Sequence, residues 1–237
     1  GGSAIGNSRV KLSNINDCIK NKYIKKNELP VEVAANQLVS DKINILHTIG
    51  GDDTNTAASD LVKYLQANNY NLTVVGLPKT IDNDIFPIGQ TLGAYTASEQ
   101  GAIFFNNIVN ENTTSSRQLI IHEVMGRNCG WLTAATAYEY RKLLKDREFI
   151  PELLIDKKRW DIHGIYLPEK AIDFNKECIR LNAIMDKYDC VNIFLSEGAG
   201  LDTIIHEMKL NNEPIKYDAF GHVRLDEINP GQWFAKH

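Results

Sequence analysis

The sequence predicts an α/β fold in which mostly parallel β-strands are flanked by helices. Five compact apolar runs have the length and composition of buried strands. Segments with helical spacing of apolar residues separate these runs, and such alternation implies right-handed crossovers between parallel strands. Loops rich in glycine or charge follow four of the runs, and ligands bind at such loops in this fold class.

Composition limits the possible functions. The chain has 237 residues, 43% of them hydrophobic and 24% charged, which suffices for one large domain or two smaller lobes. Its net charge of −4 argues against a nucleic-acid partner. No apolar run approaches the roughly 18–20 residues of a membrane span. Without paired spacing, Cys18, Cys129, Cys178 and Cys190 are expected to be reduced thiols in a cytoplasmic protein.

The first part of the chain contains two of the predicted strands. Residues 42–48 form an apolar run that ends at a glycine pair, and residues 71–77 form a second run that Pro78 stops. Helical spacing at residues 56–68 predicts the helix that connects them. The first 41 residues are polar, with a helix predicted at 31–38.

The later part of the chain continues the alternation. Strands are predicted at 118–124, 162–167 and 190–195. Helices are predicted in the stretch that ends at residue 108, and at 130–144 and 173–188.

The loop after the first strand combines two glycines with two carboxylates. Gly50 and Gly51 permit close approach of a ligand to the backbone, and the N-terminus of the following helix favours a phosphate. Asp52 and Asp53 would repel a phosphate unless a divalent cation lay between them, and Mg²⁺ on Asp52 removes that conflict. The alternative is that Asp53 or Thr54 only caps the helix.

The loop after the second strand brings one cation and two carboxylates close together. A carboxylate such as Asp82 or Asp84 can accept the proton of a hydroxyl group. Lys79 can neutralise charge that develops on a transferring phosphoryl group. The alternative is a structural loop built on Asx-turns.

These loops occur in an order that resembles the phosphofructokinase family. The sequence contains GGD at 50–52, TIDND at 80–84 and EVMGRNCG at 123–130. Residues 1–9 and 196–198 are similar to further segments of that family. The resemblance implies the phosphofructokinase fold, with two Rossmann-like lobes of parallel-rich sheet flanked by helices and an active site between them. It implies a partial donor-phosphate lobe at 1–93 that takes pyrophosphate and Mg²⁺. A sugar-phosphate-binding lobe is implied at 94–237, with the option that its last residues return toward the first lobe.

Two side chains indicate the phosphoryl donor. Family members that use ATP usually have glycine at the positions of Asp53 and Lys79, whereas this chain resembles the pyrophosphate-dependent members. Asp53 would oppose the α-phosphate of a nucleotide by charge and by size, and Lys79 would compensate the charge of pyrophosphate. Residues 218–225 and 229–234 also resemble the longer pyrophosphate-type subgroup.

The implied reaction is reversible phosphoryl transfer from pyrophosphate to the 1-hydroxyl of fructose 6-phosphate, in glycolysis and gluconeogenesis. It yields fructose 1,6-bisphosphate and phosphate. The alternatives are an ATP-dependent 6-phosphofructokinase and a non-catalytic paralogue that binds sugar phosphate.

The resemblance also implies roles for individual residues. Asp82 would be the general base, supported in catalysis by Lys79 and Asp53, and Asp52 would hold Mg²⁺. The donor-binding residues would be Gly50, Gly51, Asp53 and Thr54. The substrate-binding residues would be Thr80, Ile81, Asp84, Met125, Gly126, Arg127 and Glu197.

Further expectations concern assembly and completeness. Family members commonly form dimers or tetramers, so a homo-oligomer is expected. Arg117 is either a contact to a neighbouring subunit's sugar phosphate or a solvated charge at a strand edge, and the role of Arg9 stays open. The family's opening glycine loop and its distal sugar-phosphate segment are not found in the sequence. The chain as given is therefore expected to be an inactive fragment of an active protein.

Overall fold

The computed structural model describes residues 4, 6–8, 10–153, 155–217 and 223–237. The chain forms two compact units, Gly1–Thr80 and Ile81–His237. Each contains parallel strands flanked by helices, which confirms the predicted α/β class. The division lies inside the TIDND loop, whereas the sequence placed it after residue 93. The assignment of a donor lobe and a sugar-phosphate lobe stays a prediction.

The first unit is built around two parallel strands. Its elements are α1 (Ile15–Lys20), α2 (Pro30–Ser40), β1 (Ile45–Gly50), α3 (Asp52–Ala67) and β2 (Thr73–Pro78). In the register of the pair, Gly50 lies opposite Pro78, so both strands end at the same edge. A buried cluster of Ala35, Leu61 and Leu65 joins α2 to α3.

Helix α3 begins earlier than the sequence predicted. Its first turn contains Asp52 and Asp53, whereas the apolar spacing indicated a start at residue 56. Acidic residues are favourable in a first turn because they oppose the positive end of the helix dipole. The glycine loop is therefore very short, and both aspartates belong to the helix.

The second unit contains a three-stranded parallel sheet in the order β3-β5-β4. Its strands are β3 (Gln118–Val124), β4 (Gly164–Tyr166) and β5 (Cys190–Ser196). Its α-helices are α4 (Ala94–Ile108), α5 (Trp131–Lys145), α6 (Lys157–Trp160), α7 (Phe174–Tyr188), α8 (Leu201–Leu210), α9 (Leu225–Ile228) and α10 (Pro230–Lys236). Two 3₁₀ helices lie at Val109–Thr113 and Pro151–Leu153.

The central strand β5 is buried along its whole length. On one face, the Phe194 ring packs against Phe105 with 4.6 Å between ring centroids. On the other face, Ile193 and Leu195 pack in a cluster that Phe234 of α10 completes. Helices thus cover both faces, as expected for a parallel sheet.

The five predicted strands and the five predicted helices are present, with shifts of a few residues at their ends. The short helices α1, α6, α9 and α10 and the longer α8 were not predicted. Arg9 and the 218–222 part of the subgroup-like segment lie outside the described residues. In the parts of the chain that the structure describes, no helix combines the length and apolarity that a bilayer crossing requires.

Candidate active site

The turn between β1 and α3 is held together by backbone and amide hydrogen bonds. The N–H of Lys79 donates to the carbonyl of Gly50 at 2.8 Å, which extends the strand pairing by one residue. Asn55 Nδ2 donates to the carbonyls of Gly50 and Gly51 at 3.0 and 2.9 Å. A Cβ on Gly50 would overlap the Thr54 side chain. The turn therefore requires glycine at position 50.

Neither Asp53 nor Thr54 is the N-cap of α3. The N-cap is Gly51, which supplies no side-chain hydrogen bond, and Asp53 lies in the first turn. Thr54 instead fills the space beside Gly50. The capping interpretation of this loop is therefore wrong, and the start of a 16-residue helix faces the glycine turn.

Asp53 has a partner that the sequence did not indicate. Its carboxylate lies 2.8 Å from Lys11 Nζ, with the aspartate side chain 72% exposed and the lysine side chain 26% exposed. A partly exposed ion pair of this kind contributes only about 0.2–1 kcal/mol to stability. Its larger consequence is that Lys11 brings a cation to the loop. The two residues are far apart in the sequence, so no local pattern reveals that they are paired.

The carboxylate of Asp52 suits one mode of Mg²⁺ binding. Among the described residues, no group of three His, Cys, Asp or Glu side chains could hold a metal ion. Mg²⁺ is commonly held by one or two carboxylates together with phosphate oxygens and water. The exposed Asp52, in the first turn of α3, fits that mode.

The TIDND segment is divided between the two units. Lys79 and Thr80 end the first unit, directly after β2, and Lys79 is exposed. Ile81 begins the second unit and packs against the core cluster that contains Phe105 and Phe194. The part of the loop that carries Asp82 is thus attached to the core of the second unit.

Asp82 is partly buried, and its backbone is fixed from a second loop. The thiol of Cys129 donates to the Asp82 carbonyl at 3.4 Å. Desolvation by burial raises the pKa of the Cys129 thiol, so it remains a protonated donor at neutral pH. This geometry gives Cys129 a structural contact near the predicted general base.

The loops that follow β3 and β5 lie side by side, because Val124 and Ser196 are paired in register. Gly126 has a φ of 142°, and its N–H donates to Glu197 Oε1 at 3.2 Å. The Ser196 hydroxyl donates to the Gly126 carbonyl. The predicted substrate residues Gly126 and Glu197 are therefore in direct contact.

Arg127 follows in the same loop, and its backbone is closely approached by Gly198. A Cβ on Gly198 would overlap the carbonyl oxygen of Arg127. This contact explains why glycine follows Glu197, and it couples the position of Arg127 to the loop after β5.

Replacing Gly198 with alanine is expected to destabilise the second unit by about 1–3 kcal/mol, because the added methyl group must displace the Arg127 backbone. Chemical denaturation measures this change. Gly89→Ala is the matched control, since a Cβ there meets no atom within 4 Å. Equal free energies of unfolding for the two variants would show that the Arg127 loop can move aside without a loss of stability.

One further carboxylate, which the sequence did not single out, joins this group of loops. Glu169, after β4, accepts the backbone N–H of Gly130 at 2.7 Å through Oε1. Gly130 is the N-cap residue of α5 and has no side chain to satisfy that end of the helix. A carboxylate at this position is favoured by the helix dipole. The sequence signal that could have identified Glu169 is its position in the loop after a predicted strand.

Arg117 is engaged within its own unit. Its guanidinium Nη1 lies 2.7 Å from Asp186 Oδ1, and its backbone N–H donates to Asp189 Oδ1 at 2.9 Å. Both aspartates lie near the C-terminal end of α7. These contacts favour the strand-edge interpretation of Arg117 over a substrate contact.

The predicted residues thus form two groups. In the first unit, the β1 turn and the end of β2 adjoin through the Gly50–Lys79 hydrogen bond. In the second unit, Asp82 adjoins the 125–130 loop through Cys129, and that loop adjoins Glu197. Asp84 is exposed beyond Asn83, and Met125 is exposed at the end of β3.

A family model described as "Phosphofructokinase" matches residues 1–225. A protein from Methylomonas methanica called pyrophosphate--fructose 6-phosphate 1-phosphotransferase is 60% identical over 236 residues, 100% of this chain and 58% of that protein. A protein of the same name from Mastigamoeba balamuthi is 56% identical with the same coverage. The chain therefore spans little more than half the length of these curated relatives.

Among solved structures, a pyrophosphate-dependent phosphofructokinase from Marinobacter aquaeolei is similar with a TM-score of 0.59 and 22% identity. The match covers 93% of this chain and 48% of that chain. At this identity the likeness supports the fold.

Proposed function

Because the chain belongs to the phosphofructokinase family, we propose that the full-length protein transfers a phosphoryl group from pyrophosphate to fructose 6-phosphate. The products are fructose 1,6-bisphosphate and phosphate, and the reaction runs in both directions. The donor assignment is carried by two charged residues, Asp53 in the first turn of α3 and Lys79 directly after β2. Relatives at 56–60% identity that are named for this reaction support it.

The glycine turn suits pyrophosphate better than a nucleotide. Asp53 adds a largely exposed carboxylate to the first turn of α3, where the α-phosphate of ATP would meet like charge. Lys79 follows β2 and is hydrogen-bonded through its backbone to the same turn. Lys11, which forms an ion pair with the Asp53 carboxylate, adds a second cation near the turn. Together the two lysines would offset the high charge density of a small inorganic donor.

The second unit supplies the proposed acceptor residues. Asp82 would accept the proton of the 1-hydroxyl as that oxygen attacks phosphorus. Arg127 would bind the 6-phosphate, a task for which guanidinium is well suited. Glu197, oriented by the Gly126 N–H, would accept hydrogen bonds from sugar hydroxyls. Thr80, Ile81, Asp84 and Met125 are proposed as the remaining substrate contacts.

The remaining proposals concern the ion, the assembly and the location. Asp52 would hold Mg²⁺, which when bound neutralises charge on the phosphates. The protein would form a homo-oligomer, as family members commonly do. A cytoplasmic location is supported by four cysteines that are free thiols in the structure.

The test is a donor assay on the full-length protein. Formation of fructose 1,6-bisphosphate is measured with pyrophosphate and with ATP at equal concentrations, and we expect a preference for pyrophosphate of about 100-fold or more, equivalent to about 2.7 kcal/mol. The reverse reaction should form pyrophosphate from fructose 1,6-bisphosphate and phosphate. Activity with ATP alone would contradict the donor assignment.

A further inference from the structure

The loop from Asn83 to Thr91 is closed at its base by one side chain. Asn83 Oδ1 accepts the backbone N–H of Thr91 at 2.8 Å and its hydroxyl at 3.1 Å. Asn83 Nδ2 also lies 3.4 Å from the carbonyl of Gly89, to which it donates. A single amide group therefore joins the two ends of this loop.

The far end of this closure is rigid. Thr91 is 1% exposed, and its carbonyl accepts the N–H of Ala94 at the start of α4. Helix α4 is anchored in the core through Ala102 and Phe105. Asn83 is thus hydrogen-bonded to a buried residue that leads into a helix of the second unit's core.

The middle of the loop is exposed and contains a short turn, in which the N–H of Ile88 donates to the carbonyl of Ile85 at 2.8 Å. Phe86, in the middle of the loop, is 96% exposed. A side chain that contacts solvent contributes little packing energy, so Phe86 does little to fix the position of this segment, and the hydrogen bonds at its base matter more. The Asn83–Thr91 contacts are among the hydrogen bonds that hold that base.

Asn83 also has a special backbone conformation. Its φ is 55°, a left-handed value that asparagine tolerates better than most residues. Asp82 and Asn83 share a peptide group, whose carbonyl accepts the Cys129 thiol. A change of φ at Asn83 would therefore shift the backbone of Asp82.

We propose that Asn83 and Thr91 are positioning residues that hold Asp82 in the orientation that proton transfer requires. Neither takes part in the chemistry. The inference rests on the proposed function, in which Asp82 is the general base. A misplacement of about 1 Å in such a group can lower the rate about 100-fold.

The experiment uses three variants of the full-length protein. Asn83→Gly removes the amide and retains access to the left-handed backbone, Thr91→Val removes the hydroxyl at nearly constant shape, and Thr91→Ser restores it. We expect kcat to fall about 10–100-fold in Asn83→Gly and about 3–10-fold in Thr91→Val, with KM for fructose 6-phosphate changed less than about 3-fold. Thr91→Ser should restore kcat to within about 2-fold of the wild-type value.

The Asn83–Thr91 hydrogen bonds are called the clamp below. A control variant separates the loss of the clamp from a general effect of introducing glycine. Asn212 has a φ of 56° in the turn after α8. Asn212→Gly should retain the wild-type kcat. Hydrogen exchange of the Thr91 amide gives a readout that needs no activity, and it should become faster in Asn83→Gly and remain unchanged in Asn212→Gly.

The outcomes distinguish the inference from the proposed function. Wild-type kcat in both Asn83→Gly and Thr91→Val, in a protein that uses pyrophosphate, would overturn the inference alone. Unchanged exchange of the Thr91 amide in Asn83→Gly would overturn the clamp itself. A wild-type protein with no activity toward either donor would overturn the proposed function and, with it, the catalytic role of the clamp. A loss of kcat with constant KM and rescue by Thr91→Ser would support the inference.

Discussion

Replacing Asp82 with asparagine or alanine in the full-length protein is expected to lower kcat by about 10²–10⁴-fold, because neither side chain can accept the hydroxyl proton. This corresponds to a rise of about 3–5 kcal/mol in the activation free energy. The hydrogen bond from Cys129 to residue 82 should persist, since it is made to the backbone carbonyl. Steady-state kinetics with pyrophosphate measure the change.

A matched substitution controls for the loss of a carboxylate. Asp146 is exposed at the C-terminal end of α5, and Asp146→Asn should leave kcat unchanged. If Asp82→Asn and Asp146→Asn had the same kcat, Asp82 could not be the general base.

The second large effect is expected from changing the donor residues. The double variant Asp53→Gly with Lys79→Gly should raise the ratio of kcat/KM for ATP to that for pyrophosphate by about 100-fold, a shift of about 2.7 kcal/mol. Removing Asp53 abolishes the like charge that opposes a nucleotide, and removing Lys79 weakens the compensation of pyrophosphate charge. The donor assay with both substrates measures the ratio.

The structure indicates that this double variant will fold. The Asp53 side chain is largely exposed, so its loss creates no buried cavity. Lys79 contacts the glycine turn through its backbone N–H, which glycine retains. The variant therefore tests donor choice with little change in the strand pairing.

Lys11 offers a control for the charge argument. Lys11→Met removes the cation beside Asp53 and leaves the carboxylate in place. This variant should still exclude ATP, whereas its use of pyrophosphate should weaken. An unchanged donor ratio in the double variant would mean that Asp53 and Lys79 do not select the donor.

Local sequence patterns predicted much of the fold. The short apolar run at residues 118–124 is typical of a strand, and β3 spans those same residues. The patterns failed where helices are short or are held by distant contacts. Helix α10, for example, is secured by Phe234 in the core and by the Gly231 N–H, which donates to Glu123 of β3 at 2.8 Å. Such support from a distant strand leaves no periodic signal in the sequence.

In the candidate site, too, local motifs were predictable from the sequence and contacts between distant segments were not. The motifs indicated the chemistry of Asp52, Asp82 and Arg127, because charged residues in the loops that follow predicted strands are visible in a single sequence. The partners of these motifs were not visible. Lys11 beside Asp53, Glu169 at the start of α5 and Thr91 on Asn83 each belong to a different segment from the motif that they contact.

The sequence by itself determined the alternation of strands and helices, the phosphofructokinase resemblance and the two side chains from which pyrophosphate is proposed as donor. These properties depend on residues that are neighbours in the chain, where periodicity and turn chemistry act. Only the tertiary structure decided that Gly51, rather than Asp53 or Thr54, is the N-cap of α3. It also decided that Arg117 pairs with Asp186 and that the Asn83 amide closes the loop that ends at Thr91. Those contacts depend on packing, which brings together residues that no local pattern connects.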